Sequence, residues 1–146
     1  MKGEPVKYTY STSLKWTNEK KGILKSNDKP DIEVSCPPEF GGNPRIWSPE
    51  DLFLASVEIC IMTTLLHLSD KSRIDLVSYS SNAEGTVQLV GSSMEFSTIS
   101  ISIDVQVNSE KDKERIEKLM DKLHRICLVS NSIKSKLNLD YKINVK

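Results

Sequence analysis

SPEDLFLASVEICIMTTLLHLSD, residues 48–70, is the most apolar segment of this 146-residue chain and carries the signals of one long helix. Ser48 can cap the N-terminus of the helix, and Pro49 suits its first position. Asp51 stands three residues after the serine and completes a capping-box pattern. The segment that follows is apolar over most of its circumference, so we expect a central helix that is covered on nearly all sides.

Two polar side chains inside this helix argue against a membrane span. Glu58 and His67 interrupt the apolar run, which therefore falls short of the roughly 20 apolar residues that a bilayer requires. Burial within protein is the better interpretation, and we expect no membrane partner.

The composition restricts the class of protein. A length of 146 residues fits one domain, residues 1–146. Twenty basic residues balance twenty acidic ones, and no basic cluster alternates with aromatic residues, so we expect no nucleic acid partner.

The N-terminal MKGEPVKYTY lacks an apolar leader, and three cysteines form no disulfide framework. Both features predict a reducing, cytoplasmic location.

Metal chemistry has little support in the sequence. The chain has two histidines, His67 and His124, and no cluster of His, Cys, Asp or Glu with the spacing of metal ligands. We therefore expect neither a metal ion nor another cofactor.

Three strands are predicted before the central helix. Apolar or aromatic side chains alternate from Val6 to Trp16, and two short strands follow at Gly22–Lys25 and Asp31–Cys36. The segment Pro37–Pro44 is too rich in proline and glycine for regular structure and is predicted to be a loop.

A hairpin is predicted after the central helix. Val77–Val90 and Met94–Val107 are strand-like and are joined by Gly91-Ser92-Ser93. The apolar positions of the second strand change from even to odd numbers near Ser97-Thr98, which predicts a β-bulge there.

The C-terminal third is predicted to be two helices and a strand. Ser109 can cap an amphipathic helix that ends near Cys127, a short helical turn is expected within Ser130–Lys136, and Leu139–Val145 alternates as a closing strand. The order βββ-α-ββ-αα-β indicates an α+β fold in which antiparallel sheet packs against helices.

Cysteine chemistry is the main functional question. Cys60 lies in the middle of the central helix, and Cys127 lies at a helix break. A free cysteine is most often a small buried hydrophobe, so spacing alone favours inert thiols. We interpret Cys36 in the same way, as a packing residue. We expect His67 to lie at a solvated end of the helix.

A set of motifs, in this order, resembles the OsmC/Ohr family, the osmotically inducible protein C-like and organic hydroperoxide resistance proteins. They are Pro-Pro-Glu-Phe-Gly-Gly at 37–42, Ser-Pro-Glu-Asp-Leu at 48–52, Cys60, and Cys-Leu-Val-Ser-Asn at 127–131. The resemblance covers nearly the whole chain. It implies an intertwined homodimer of α+β subunits, with antiparallel sheets around the cysteine helices and the active sites at the subunit interface.

The resemblance also implies a peroxidase cycle. Cys60 would be the peroxidatic thiolate that a small organic hydroperoxide oxidises to a sulfenic acid, and Cys127 would resolve it as a disulfide. A dithiol reductant, such as a lipoyl donor or another thiol, would then restore the pair. Leu128 stands where the family has a proline.

The family's activating arginine is absent from this chain. Family enzymes place it in the turn between the first two strands, where a glutamate orients it, and Glu50 matches that glutamate. Lys20 is the positional substitute for the arginine, and Arg45 is the nearest arginine in sequence to Glu50. Lysine lacks the planar fork that bridges a carboxylate and a peroxide, so its presence would weaken activation.

Two alternatives therefore remain beside the peroxidase. In one, the same scaffold has lost rapid turnover with its arginine and works as a binding or slow redox-sensing module. In the other, the chain is a structural domain with two buried, unreactive thiols. The intact cysteine pair favours the peroxidase, and the missing arginine favours the sensor.

Overall fold

The computed structural model describes residues 3–146, which form two compact units. The first unit ends at Leu52 and the second begins at Phe53. The elements in chain order are β1 (Ser13–Trp16), β2 (Lys21–Lys25), β3 (Ile32–Ser35), a 3-10 turn (Pro38–Phe40), α1 (Pro49–Lys71), β4 (Leu76–Val90), β5 (Ser93–Val107), α2 (Glu110–Ile126), α3 (Leu128–Asn131) and β6 (Lys136–Val145). The predicted order βββ-α-ββ-αα-β is confirmed, and the two units are described separately below.

The first unit contains the antiparallel sheet β1-β2-β3. The strand predicted from Val6 is wrong in its first half, because β1 begins only at Ser13 and pairs through Trp16 with Gly22. Val6, Tyr8 and Tyr10 alternate as a strand would, yet they are 78%, 78% and 85% exposed. Alternation creates a strand only where a second strand supplies hydrogen bonds, and β2 ends opposite Ser13.

The N-terminus of α1 is fixed by a reciprocal capping box. The Ser48 hydroxyl accepts a hydrogen bond from the Asp51 backbone N–H at 3.1 Å, and the Asp51 carboxylate accepts one from the Ser48 N–H at 3.0 Å. The predicted start of the central helix is therefore confirmed, with Pro49 as its first residue.

The hydrophobic core of the second unit is built on one face of α1. Val57, Ile61 and Leu65 recur every four residues and are fully buried. They pack with β4–β6 and α2 in one cluster. Ile59 and Leu66 remain 55% and 38% exposed, so a single chain does not cover the helix on all sides. By length and composition α1 could cross a membrane, but its buried face belongs to this protein core.

The second sheet has the order β4-β5-β6 and contains the predicted bulge. Thr86 pairs with Thr98 and Val87 with Phe96, so Ser97 is the extra residue on β5. The hairpin connection is two residues long rather than the expected three, because Ser93 already pairs with Val90. Gly91 supplies the positive φ of 65° that this tight connection needs.

The expectation of purely antiparallel sheet is wrong for one pair. β6 runs parallel to β5 over ten residue pairs, from Thr98 with Lys136 to Val107 with Val145. The reason is the connection, since α2 carries the chain back along the sheet before β6 begins.

The helix pair α2 and α3 meets at Cys127. Ser109 caps α2 by accepting a hydrogen bond from the Asp112 N–H at 3.1 Å, as predicted. The short helical turn begins at Leu128, earlier than the expected Ser130–Lys136. Cys127 adopts an extended conformation that ends one helix and starts the other, so no linker separates them.

Gly42 is expected to tolerate no side chain. A Cβ atom at this position would lie 1.5 Å from the backbone oxygen of Cys36, so Gly42→Ala must displace the backbone of the 37–42 loop. We expect a loss of about 1–3 kcal/mol in the free energy of unfolding, measured by urea denaturation. Gly3→Ala is the control because it meets no atom within 4 Å. Equal stability of the two variants would contradict the loop conformation.

Candidate active site

Cys60 is placed on α1 beside the core. Its neighbour Ile61 is fully buried, whereas Cys60 itself is half-buried and packs against the edge of the core cluster. The Thr64 hydroxyl lies one helical turn further on, 3.9 Å from the Cys60 sulfur. Sequence analysis did not select Thr64, although its spacing of four residues from Cys60 places it on the same helical face.

Cys127 is held by the two helices that meet there. Its backbone N–H donates to the Leu123 oxygen at 2.9 Å, and its own oxygen accepts from the Asn131 N–H at 3.1 Å. Its side chain is 0% exposed. The backbone on both sides therefore fixes the direction of a buried thiol.

The fold brings these two cysteines into contact. The Sγ atoms of Cys60 and Cys127 are 2.7 Å apart, and both residues are free thiols. Sixty-seven residues separate them in sequence. The contact creates a dithiol within the second unit, in which the Cys127 thiol donates to the Cys60 sulfur.

The surroundings act differently on the pKa values of the two thiols. Burial raises the pKa of the Cys60 thiol, and its hydrogen bond to Cys127 raises that pKa further. Burial also acts to raise the pKa of Cys127, but its hydrogen bonds with the Cys60 sulfur, with the Ser130 side chain and with the N–H groups of Ser130 and Val129 outweigh burial and lower that pKa. Because the two sulfurs are in contact, the thiols titrate as a pair.

Three residues are expected to activate the Cys60 thiol: Lys20, Arg45 and Glu50. They lie in the first unit, whereas Cys60 lies in the second. Lys20 Nζ donates to the Phe40 backbone oxygen at 2.7 Å, and Arg45 is exposed. Within residues 3–146 Glu50 forms no ion pair, and its buried Oε2 atom has no hydrogen-bond partner. In the single chain neither cation is paired with Glu50.

The other titratable side chains have separate roles. Cys36 is half-buried, with its sulfur 3.4 Å from the Phe40 oxygen. Glu58 accepts a hydrogen bond from the Ser81 hydroxyl at 2.6 Å, which satisfies a carboxylate that lies among apolar helix neighbours. His67 is exposed, in agreement with the prediction of a solvated position.

A cavity of about 530 Å³ lies in the same unit as the dithiol. Its apolar part is formed by Phe53, Phe96 and Ile133, and the two phenyl rings stack with centroids 4.9 Å apart. Lys134 and Glu95 form an ion pair of 2.5 Å in its lining. Phe53 precedes Cys60 by seven residues, or two helical turns, and therefore lies on nearly the same face of α1.

Metal ligation finds no support in the described part of the chain. Residues 3–146 contain no group of three or more His, Cys, Asp or Glu side chains that could hold a metal ion.

Comparisons with known proteins find relatives that match most of this chain. An organic hydroperoxide resistance protein of Xanthomonas axonopodis pv. citri is 26% identical over 141 residues, which cover 92% of this chain and 94% of the relative. An uncharacterized protein of Acinetobacter baylyi is 24% identical over 135 residues, which cover 92% of each chain.

Solved structures share the fold. An OsmC-like protein of unknown function from Vibrio cholerae superposes with a TM-score of 0.85 at 18% identity, over 93% of this chain and 100% of the other. An organic hydroperoxide resistance protein from Legionella pneumophila superposes with a TM-score of 0.69 at 20% identity, over 97% and 100%. The model of the family described as OsmC-like protein matches residues 41–142. This chain therefore belongs to the OsmC-like protein family.

Proposed function

We propose that this protein is a thiol-dependent peroxidase that reduces organic hydroperoxides through Cys60 and Cys127. The observation that carries the proposal is the 2.7 Å contact between two free thiols whose sequence positions are 67 residues apart. A resolving thiol must reach the oxidised sulfur, and here it touches that sulfur before any movement. The family membership and the relatives named for hydroperoxide resistance support the same reaction.

The proposed cycle needs only the two sulfurs and a thiol reductant. The Cys60 thiolate attacks the distal oxygen of the hydroperoxide, which becomes an alcohol, and Cys60 becomes a sulfenic acid. Cys127 attacks the sulfenic sulfur, a disulfide forms, and water leaves. A dithiol, such as a lipoyl group, then exchanges with the disulfide and restores both thiols. No cofactor takes part.

The cavity formed by Phe53, Phe96 and Ile133 supports an organic substrate. Its aromatic and aliphatic lining favours burial of an alkyl or aryl group, whereas hydrogen peroxide would gain nothing from it. The substrate is thus a small organic hydroperoxide, and the reaction takes place in the cytoplasm.

Glu50 is proposed to orient an activating cation, with Lys20 or Arg45 as the candidates. Its buried carboxylate oxygen lacks a hydrogen-bond partner within residues 3–146, which supports a role that the single chain does not complete. The Lys20 ammonium already donates to the Phe40 backbone oxygen.

A slow redox-sensing module is the second candidate function, and the observation that favours it is the Glu50 carboxylate without a paired cation within residues 3–146.

A homodimer is proposed from the apolar surface that the single chain leaves exposed. Leu14 and Trp16 of β1 are 67% and 72% exposed, and Ile59 of α1 is 55% exposed. Light scattering should give twice the 16.5 kDa mass of the chain at all micromolar concentrations. A concentration-independent monomer would contradict the dimer and any site that a second subunit completes.

The proposed function is tested by oxidation of the reduced protein. One equivalent of tert-butyl hydroperoxide should convert Cys60 and Cys127 to a disulfide, seen as a cross-linked peptide by mass spectrometry, while Cys36 stays reduced. Excess hydroperoxide with dithiothreitol or a dihydrolipoyl donor should then be consumed catalytically. Disulfide formation without turnover would support the redox sensor, and thiols that resist oxidation would exclude both functions.

A further inference from the structure

We propose that Thr64 is a catalytic residue whose hydroxyl donates a hydrogen bond to the Cys60 thiolate and stabilises it for attack on the hydroperoxide. This inference rests on the proposed peroxidase function, and it adds a residue that the sequence motifs did not indicate. The donor lies on the same helix as the thiol, so a single chain already contains it.

Thr64 lies one helical turn after Cys60 on α1. Residues four positions apart in an α-helix share a face, so the two side chains point to the same side of α1. The Thr64 Oγ1 atom is 3.9 Å from the Cys60 Sγ atom, and both residues are half-buried. The geometry of the helix therefore holds the hydroxyl beside the reacting sulfur.

The neighbouring threonine shows what this side chain commonly does in a helix. The Thr63 hydroxyl donates to the backbone oxygens of Ile59 at 3.0 Å and Cys60 at 3.2 Å, as threonine often does toward the preceding turn. Thr63 is exposed, and these hydrogen bonds end on the backbone of its own helix. Thr64 instead contacts a sulfur, so the two adjacent threonines provide a test and a matched control.

The protonation state of Cys60 decides which atom donates in the contact with Thr64. The Cys127 thiol donates to the Cys60 sulfur at 2.7 Å. When Cys60 is a thiol, its own proton can go to the Thr64 oxygen. When Cys60 is a thiolate it has no proton, so the Thr64 hydroxyl has to be the donor. A hydroxyl fills both roles by rotation, and the contact therefore persists when the thiol ionises.

Ionisation of Cys60 strengthens this contact. A thiol sulfur is a weak acceptor, whereas a hydrogen bond to a charged acceptor is about twice as strong as a neutral one. Burial raises the pKa of the Cys60 thiol, and hydrogen bonds from the Val129 N–H and the Thr64 hydroxyl act in the opposite direction. Within residues 3–146, no cation is among the side chains that hydrogen-bond to this sulfur. Thr64 therefore supplies part of the stabilisation that the thiolate needs from a neutral group.

Thr64 keeps its own proton throughout the reaction. The Cys60 thiolate attacks the distal oxygen of the hydroperoxide, so the S–O bond forms as the O–O bond breaks. The departing alkoxide takes a proton from water, and the proton that Cys60 released on ionising neutralises the remaining hydroxide. The hydroperoxide has then gained two electrons and the Cys60 sulfur has lost two. Cys127 forms the disulfide in the next step, with loss of water.

Alkylation of Cys60 tests the hydrogen bond without any peroxide. Cys127 is 0% exposed, so we expect iodoacetamide to modify Cys60 of this pair, and peptide mass spectrometry distinguishes Cys60 from Cys36. Thr64→Val removes the hydroxyl and keeps the branched shape. It should raise the apparent pKa of Cys60 alkylation by about one unit.

Thr63→Val is the matched control for this shift. It removes the same hydroxyl from the adjacent, exposed residue, and the apparent pKa should stay within about 0.2 units of wild type. Equal apparent pKa values for the two valine variants would overturn the proposal. Thr64→Ser keeps a hydroxyl and should restore most of the shift, whereas a serine variant that titrates like Thr64→Val would assign the effect to packing of the methyl group and also overturn the proposal.

The complete pH profile separates a lost hydrogen bond from a displaced thiol. A less stabilised thiolate is a stronger nucleophile. Thr64→Val should therefore react more slowly than wild type below the two apparent pKa values and at least as fast above them. A slower reaction at every pH would mean that the substitution has displaced the thiol, and the proposal would fail.

Single-turnover oxidation connects the hydrogen bond to the reaction. With tert-butyl hydroperoxide at pH 7, Thr64→Val should lose its free Cys60 thiol about three- to tenfold more slowly than Thr63→Val does. Equal rates would overturn the catalytic role of Thr64. If wild type and both variants all resist oxidation, the peroxidase function fails, and the alkylation profiles still decide whether Thr64 donates to the Cys60 thiolate.

Discussion

Cys60→Ser is expected to lower the steady-state rate of organic hydroperoxide reduction at least about 1000-fold. Serine keeps the size of the side chain, but its hydroxyl neither ionises near neutral pH nor forms a sulfenic acid or a disulfide. A 1000-fold loss corresponds to about 4 kcal/mol of transition-state stabilisation. The measurement is consumption of tert-butyl hydroperoxide with a dihydrolipoyl donor, and the residual rate should equal the rate without protein.

Cys36→Ser is the matched control for this loss. It is the same substitution at a half-buried thiol whose sulfur lies near the Phe40 oxygen rather than near the dithiol, so we expect its turnover to stay within about twofold of wild type. Near wild-type turnover in Cys60→Ser would exclude Cys60 as the peroxidatic residue. Equal losses in the two variants would point to unfolding rather than to chemistry.

Leu65→Ala is expected to cost about 2–5 kcal/mol of the free energy of unfolding. Leu65 is 0% exposed and packs in the core cluster with Ile61, Ile99 and Leu123. Truncation removes apolar contact and leaves a cavity that α1, β5 and α2 can close only by moving. Because domains of this size are stable by about 5–15 kcal/mol, the substitution removes a large part of the total.

Urea denaturation followed by circular dichroism measures this effect as a lower midpoint with an unchanged slope. Leu89→Ala, on the exposed end of β4, is the matched control because Leu89 is 64% exposed. We expect it to change the free energy of unfolding by less than about 0.5 kcal/mol. Equal losses in the two leucine variants would contradict the assignment of the core to this face of α1.

Local sequence determined much of the fold. The start of α1 follows from Ser48 and Asp51, whose side chains and backbone N–H groups lie within one turn of each other. The cap at Ser109 is equally local. The bulge at Ser97 could be predicted because the apolar residues of this strand change from even to odd positions. One extra residue keeps both sets on the same face of the sheet. The motifs around Cys60 and Cys127 also identified the family before any coordinates.

Tertiary structure decided the features that depend on distant partners. The early start predicted for β1 was wrong because Val6–Tyr10 alternates without a paired strand, and the parallel pairing of β6 depends on where α2 returns the chain. Local periodicity reports which residues share a face but carries no information on what lies opposite that face.

The cysteine pair shows the same division at the candidate site. The sequence singled out Cys60 and Cys127 as the residues of interest, and the resemblance placed the thiolate on Cys60. Only the folded chain sets their sulfurs 2.7 Å apart and leaves Ser130 Oγ buried without a hydrogen-bond partner within residues 3–146. A thiol's pKa depends on the burial and hydrogen bonds around its sulfur, which here come from residues on separate helices, so the pKa of each thiol is a property of the tertiary structure.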